Sequence, residues 1–573
     1  MICVPSCLTK PAGGTVAATI AFAFCIHVAG SHTAKAAPLF DPPALPGGIR
    51  DLADPDAQDL QHQLQLINGL PLTQPGWTFQ PRLGFQEIFS DNVQQAHSPR
   101  RWDFSTLVAP GFSLVGNTRR VEMRLDYAPS LIMNARTGSQ NAIGQQLNGT
   151  ATITAVDDLA FLDIRALAGV QSAAGGIGGQ GAIGASDTGG ITAGGGGTTA
   201  NRIGSIQTNS IGFTPYLSHQ FGDYGTGRLS YSLNLSQATN INGVRFLPVP
   251  TGSGGQSLIS QEQAGQFKTG DILNFIQDTV SFSLSQSHST FGNLQGFAGV
   301  PTVANYSTDS TQSRFGNELS YALSHNLSVQ MSLGYENIKY GTRNQTDISG
   351  MTWSGGITWT PNPDSSLNMT YGRQNGTDSF GFDGHYRASA FTEFNGAYHE
   401  TIGTQLQNLQ RQLNQGVVGN TGGFVNGNAG GSPFGSVNAL GLQPGVFRFK
   451  TLSAGATTTR SRDQIGLSVN VTEQTTVGGA TAGQTGTTTK SASLSWTHEL
   501  RDDLRWTSSI SYSLQSGGIG GSGNSYALNT GVLHTITPSL SASLRYSFYN
   551  RKSSVQVYSF YENLLVLGIT KTF

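Results

Sequence analysis

The densest run of ionisable side chains sits in one short stretch. Arg120, Glu122, Arg124 and Asp126 alternate with Val121, Met123, Leu125 and Tyr127. Alternate residues of an extended strand face opposite sides, so this spacing puts four charges on one face and four apolar groups on the other. If the apolar face meets lipid, the charges line an enclosed aqueous interior and bias the passage of charged solutes. The competing reading is a ladder of charges neutralised by neighbouring strands, filling the interior without selectivity. Arg228, Arg505 and Arg545 hold comparable positions in other alternating segments and are weaker candidates for the same lining.

Other chemistry finds little support. Gly179-Gln180-Gly181-Ala182-Ile183-Gly184 has the glycine spacing of a dinucleotide loop, but such a loop needs a strand before it and a helix after it, and this one lies in a glycine-saturated stretch. The 11 histidines are scattered, without the spacing that metal ligation requires. Asp383 and His385 are neighbours of the types outer-membrane proteases use, yet one such pair in a polar stretch is expected by chance. No G-x-S-x-G nucleophile turn occurs. All 3 cysteines, Cys3, Cys7 and Cys25, lie near the N-terminus. The exported chain therefore carries no disulfide framework and no thiolate metal site. A net charge of -1 argues against nucleic acid as a partner. The reading is a non-enzyme with no metal and no cofactor.

The elements that must carry these residues read as strands. Leu327, Val329, Met331, Leu333 and Tyr335 alternate with Ser328, Gln330, Ser332, Gly334 and Glu336. The same period recurs around Leu229–Leu235, Ile465–Val471, Leu504–Leu514 and Leu540–Phe548. Short polar turns such as Ser324-His325-Asn326, Pro361-Asn362-Pro363-Asp364 and Arg501-Asp502-Asp503 join them, with ordinary turn chemistry. Glycine-rich stretches at 135–146, 172–204, 239–273, 403–446 and 475–488 read as long connections. Short turns at one end and long loops at the other are the layout of an outer-membrane barrel.

These features predict an all-β fold, one large antiparallel transmembrane barrel of about 22 strands (range about 18–22). The stretch Asp278–Ser310 must supply a hairpin that its pattern barely supports. Charged residues make up 11% and hydrophobic ones 37% of the chain. That fits a surface divided between lipid and water better than a soluble sandwich. Aromatics near strand ends, Trp353 with Trp359, Trp496 with Trp506, and Tyr335 with Tyr340, read as interfacial girdles. Lipid offers no hydrogen-bond partners, so the first strand, near Trp77–Phe89, must pair with the last, near Val557–Phe573. Residues 400–415 read as a short helix, folded into the lumen or lying on the surface.

The N-terminus has the three-part shape of a secretory signal. Lys10 precedes an apolar run from Thr15 to Val28, and Ala34-Lys35-Ala36 gives a cleavage pattern before Ala37. The expected organisation is a signal peptide at 1–36, a proline-rich periplasmic extension at 37–76, and the barrel at 77–573. Within the extension Leu60, Leu64 and Ile67 could share one side of a short helix; a flexible leader is the alternative.

Two resemblances sharpen the picture. The final strand places Tyr561, Leu565, Leu567, Ile569 and Phe573 on one face. It resembles the C-terminal assembly signal of bacterial outer-membrane proteins, with Lys571 departing from the usual apolar residue. That implies the barrel-assembly machinery as a partner, beside outer-membrane lipid. Further, Pro81, Asp91-Asn92-Val93, Pro110-Gly111 and Asp126-Tyr127 resemble the opening strands of the outer-membrane β-barrel family associated with PEP-CTERM and exopolysaccharide systems, a porin-type family. The resemblance implies the fold and an outer-membrane location. The expected function is a pore or export channel for small solutes or extracellular polysaccharide. A structural or adhesive surface barrel and an outer-membrane hydrolase are the alternatives.

Overall fold

The computed structural model describes residues 76–138, 141–172, 205–222, 225–240, 257–270, 278–293, 308–340, 347–403, 416–418, 424–426, 446–477, 486–517, 521–556 and 559–573. The expected signal peptide, and all of the proline-rich extension but Gly76, lie outside these residues. So do the glycine-rich stretch at 173–204 and most of the predicted helix, of which residues 400–403 end a strand.

The described residues form one antiparallel sheet of 24 strand segments that closes on itself. Two staves are interrupted, at Ala128-Pro129 and at Gln145-Gln146, so the segments make 22 staves. In chain order they are β1 (Gly76–Ser90), β2 (Asp103–Asn117), β3 (Val121–Tyr127 with Ser130–Asn134), β4 (Ala142–Gly144 with Leu147–Val156), β5 (Ala160–Ser172), β6 (Ser205–Gln220), β7 (Thr226–Asn240) and β8 (Ser257–Gly270). Next come β9 (Asp278–Asn293), β10 (Thr308–Ser324), β11 (Leu327–Tyr340), β12 (Ile348–Asn362), β13 (Ser365–Gln374), β14 (Thr377–Ser389) and β15 (Thr392–Gly403). The last seven are β16 (Phe447–Arg460), β17 (Asp463–Thr476), β18 (Thr487–Arg501), β19 (Leu504–Gly517), β20 (Gly523–Thr537), β21 (Leu540–Ser553) and β22 (Phe560–Thr572). A separate ribbon, Gly416–Val418 with Phe424–Asn426, lies in the β15–β16 connection.

Closure follows the expected pairing. β1 meets β22 antiparallel from Arg82↔Thr572 to Ser90↔Leu564. An even number of staves leaves the start of β1 and the end of β22 at the same end of the barrel. There the connections are short: 118–120, 325–326, 363–364, 461–462 and 502–503. The long connections all lie at the other end. One stretch read as a connection is corrected. Within 239–273, residues Ser257–Gly270 form β8, which pairs with both β7 and β9. Likewise Ala142–Gly144, inside the stretch 135–146, pairs with Ser130–Ile132.

The two faces of the wall differ as the alternation requires. On β11, Met331, Leu333 and Tyr335 are 57%, 54% and 51% exposed, whereas Gln330, Ser332 and Glu336 are 5%, 7% and 2% exposed. The apolar set points outward, where hydrocarbon replaces water at low cost, and the polar set points into the barrel. Aromatics ring both ends of the outer face, with Trp77, Phe79 and Trp359 towards the short turns and Trp102, Phe104 and Tyr561 towards the long loops. Tyr340 does not join Tyr335 in a girdle. Five positions apart on one strand, they face opposite ways, and Tyr340 packs with Ile338, Ile402 and Val446.

Candidate functional site

The charged face of β3 points inward. Its register with β2 sets Asp126 against Ser113, Arg124 against Val115 and Glu122 against Asn117. Arg124 and Asp126 are buried. Asp126 is held by a residue the sequence reading missed. Arg82 of β1 donates through both terminal nitrogens to the two carboxylate oxygens, at 2.5 and 2.6 Å. It also donates to Ser113 Oγ at 3.1 Å, and Ser113 donates to Asp126 at 2.7 Å. Gly111 makes this reach possible. It lies opposite Arg82, between β1 and β3, and a Cβ there would stand 3.1 Å from Arg82 Nε and 2.8 Å from the Tyr127 carbonyl. Arg120 does not extend the ladder: it sits exposed in the β2–β3 turn, where its carbonyl accepts the Thr154 N–H at 2.8 Å.

Further charges share this wall. On β5, Asp163 accepts from Thr152 Oγ1 at 2.9 Å, and Arg165 follows on the same face opposite Thr150. Arg228 lies on the inner face of β7, with its guanidinium 4.2 Å from the centre of the Tyr216 ring. That ring stacks on Phe161 at 5.0 Å, and Lys268 is the cross-strand neighbour of Arg228 on β8. Towards the long loops Arg314 and Glu336 approach to 3.8 Å. The Asn375-Gly376 turn folds onto this pair, Asn375 Oδ1 accepting from Arg314 at 2.7 Å and Gly376 N–H donating to Glu336 at 2.9 Å. Strand parity could have found Asp163, Arg165, Arg314 and Glu336.

The opposite wall is different. From β16 to β20 most inward positions are hydroxyls, amides and small groups: Ser468, Asn470 and Thr472 face Ser493, Ser491 and Thr489, which face Ser511, Ser513 and Gln515. Among the exceptions are Phe447 and Phe449, buried at the long-loop end of β16, and Glu499, Arg505 and Leu533 at the short-turn end. Ser468 and Ser493 share a 2.6 Å hydrogen bond. Arg505 is at the short-turn end, donating to Glu499 at 3.0 Å. Arg545 is inward on β21, between Gly531 and Val566. So Glu122, Arg124, Asp126 and Arg228 stand on one arc of the lumen, and Arg505 and Arg545 on another.

Asp383 and His385 alternate on the inner face of β14. His399 of β15 approaches Asp383 at 3.8 Å, and the neighbours of His385 in register are Ser366 and Asn395. Among the described residues no group of three or more His, Cys, Asp or Glu is placed to hold a metal.

In β22, Tyr561, Leu565, Leu567 and Ile569 form an exposed outer face. Lys571 donates to Ser539 Oγ at 2.6 Å, and the Phe573 N–H donates to the Pro81 carbonyl at 2.9 Å. Of the residues that carried the family resemblance, Pro81 and Asp91-Asn92 lie at the seam, while Pro110-Gly111 and Asp126-Tyr127 lie on β2 and β3. Pro81 ends the seam at the short turns. At the other end Asp91 accepts twice from Asn563, and Asn92 donates to the Tyr561 carbonyl at 2.9 Å.

Residues 454–573 match the protein family described as "Putative beta-barrel porin 2". No curated protein matches the chain. Among solved structures, the FrpB iron transporter from Neisseria meningitidis (F5-1 variant) is 10% identical, with 90% of this chain and 84% of that one covered and a TM-score of 0.49. The siderophore receptor PirA from Acinetobacter baumannii is 10% identical, with 87% and 81% covered and a TM-score of 0.46. The ferric-catecholate import receptor Fiu from E. coli K12 is 10% identical, with 87% and 82% covered and a TM-score of 0.46. The porin-type match and the apolar outer face of the closed sheet place the barrel in the outer membrane.

Proposed function

We propose that the barrel forms a water-filled path for polar solutes across the outer membrane and catalyses no reaction. The observation that carries this reading is the middle of the inner wall of β16–β20, lined mainly by Ser, Thr, Asn, Gln and Gly, between Phe447 and Phe449 at the long-loop end and Glu499 and Arg505 at the short-turn end. Such a wall offers hydrogen bonds to hydrated solutes, and its inward charges Arg505 and Glu499 are paired with each other at the short-turn end. The charged arc of β3–β11 faces the same space with its cations and anions interleaved. Hydroxyl-rich cargo suits this lining, and the resemblance to barrels that accompany exopolysaccharide systems supports polysaccharide as one such cargo. The test is single-channel recording in planar bilayers, combined with swelling of proteoliposomes in oligosaccharides. Stable conductance steps and swelling with neutral sugars are the expected outcome. A silent barrel that admits no sugar overturns the reading and favours an adhesive or structural role.

A further inference from the structure

On the outer face of the seam, at the long-loop end, two guanidiniums lie over aromatic rings. Arg100 stands 3.9 Å from the centre of the Tyr561 ring, and Arg136 stands 4.0 Å from that of Trp102. Both rings belong to the lipid-facing surface. Tyr561 continues the outward row of Leu565 and Leu567, and Trp102 packs edge-on against Phe104, which touches Phe89. Both arginines, and Arg101 between Arg100 and Trp102, are exposed.

The local backbone fixes these cations in place. Asp103, fully buried at the start of β2, accepts from the N–H groups of Phe104, Arg136 and Thr137 and from the Thr137 hydroxyl. That holds the turn after β3 against the wall. The Arg101 carbonyl accepts the Val93 N–H at 2.9 Å, and Asn92 ties the same loop to β22. Among the described residues neither Arg100 nor Arg136 has a carboxylate within ion-pair distance. Two acids close by in the sequence are engaged elsewhere, Asp91 with Asn563 and Asp103 with backbone donors.

A cationic cluster backed by interfacial aromatics and continuous with the apolar belt is complementary to one kind of neighbour, a lipid with an anionic headgroup above its acyl chains. We infer that Arg100, Arg101 and Arg136 form a docking site for the phosphate groups of an outer-leaflet glycolipid, whose chains lie along Phe104, Phe89 and Phe85. Guanidinium suits phosphate because it offers several donors in one plane, and the aromatic rings beneath keep it oriented while one face stays open. The site spans the closing seam, so a bound lipid would cover the junction of first and last strands.

The test is a titration of the detergent-purified full chain, followed by native mass spectrometry, with lipid A bearing its phosphates, with the dephosphorylated form and with inorganic phosphate. Binding of phosphorylated lipid A is expected, at least tenfold weaker for the dephosphorylated form and for the double variant Arg100→Gln/Arg136→Gln. Inorganic phosphate alone is expected not to bind at matching concentrations. Heat-modifiability on gels should show that the variant remains folded. Equal binding of the two lipid forms, equal binding by the folded variant, or equal binding of free phosphate would each overturn the assignment. Should the double variant fail to fold, Arg136→Gln alone and the dephosphorylated lipid still decide the question.

Discussion

Asp91 and Asn563, 472 positions apart, are joined by two hydrogen bonds of 2.7 Å: the Asn563 backbone N–H and side-chain amide each donate to one oxygen of the Asp91 carboxylate. The Asp91 N–H returns a bond to the Asn563 carbonyl at 3.2 Å. The pair latches the long-loop end of the β1–β22 seam, beyond the last regular ladder contact at Ser90↔Leu564. Hydrogen bonds to a charged acceptor are worth about 1.5–3 kcal/mol each. Asp91→Ala should therefore lower the unfolding temperature of the barrel by several degrees, read by heat-modifiability on gels, and leave single-channel conductance unchanged. A cysteine pair at Gly84 and Thr570, neighbours in register, should form a disulfide across the seam in the folded variant. Failure to crosslink there, with crosslinking to another stave instead, would reject the closure.

Gly111 carries a second expectation. Any side chain at this position intrudes between Arg82 and the Tyr127 carbonyl and lifts the guanidinium off Asp126. Arg82 and Asp126 are 18% and 9% exposed, and breaking a buried ion pair by removing one partner costs about 3–5 kcal/mol. Gly111→Val and Arg82→Ala should each destabilise the barrel by an amount at or below the low end of that range. The double variant should lose little more than either single one, because both remove the same contact. Full additivity in denaturant titrations would show that Gly111 serves some other purpose.

The parity of side chains was legible in the sequence because lipid and water leave a period-two record. Met331, Leu333 and Tyr335, and Tyr561, Leu565 and Leu567, were assignable to the outer face from spacing alone, as was the inward turn of Glu122, Arg124 and Asp126. β8 was hidden for the converse reason. Two of its outward positions are Gln263 and Gly265, so the alternation fades and the segment looks like a polar loop. Arg120 was misplaced because the pattern does not say where a strand stops and its turn begins. Arg82 escaped notice because its partner lies two staves away. Recognising the pair requires the registers of β1 on β2 and of β2 on β3, which local spacing does not contain. The motif residues Pro81, Asp91, Asn92 and Gly111 were recognisable as a pattern, and the seam and the Arg82 crossing explain it.

A pH-dependent contribution is expected at the short-turn end. Arg501 donates to both carboxylate oxygens of Asp503 at 2.7 Å. The guanidinium, chiefly, holds this carboxyl below the ordinary carboxylate range, with His534 at 3.1 Å adding to the effect. A depressed folded-state pKa means that the stabilisation is present above the unfolded value of about 3.9 and is lost as pH falls through the lower folded value. Arg501→Gln should therefore unfold at a lower temperature than the parent at neutral pH, with a gap that closes on acidification below about pH 4. The Asp503 side chain is 41% exposed, so the gap is small and shrinks in high salt. A gap that stays constant into strong acid would show that Arg501 acts on the turn without its charge.

The most general expectation concerns the two faces of the wall, because every assignment of a lumen residue depends on them. Leu567 is 54% exposed on the outer face of β22, and Ser493 is on the inner face of β18 between Ser468 and Ser511. An arginine facing hydrocarbon near the midplane costs about 2–4 kcal/mol, and one facing an aqueous lumen costs little. Leu567→Arg should consequently destabilise the barrel in lipid by an amount in that range and leave ion selectivity untouched. Ser493→Arg should fold with nearly parental stability, reduce conductance, and shift the reversal potential in a salt gradient towards anion preference. Each variant moves the measurement that the other leaves unchanged, so a general loss of fold cannot imitate the result. If Ser493→Arg destabilised the protein in lipid and Leu567→Arg altered selectivity, the assignment of inside and outside would be reversed, and the charged arc of β3–β11 would lose its place in the lumen.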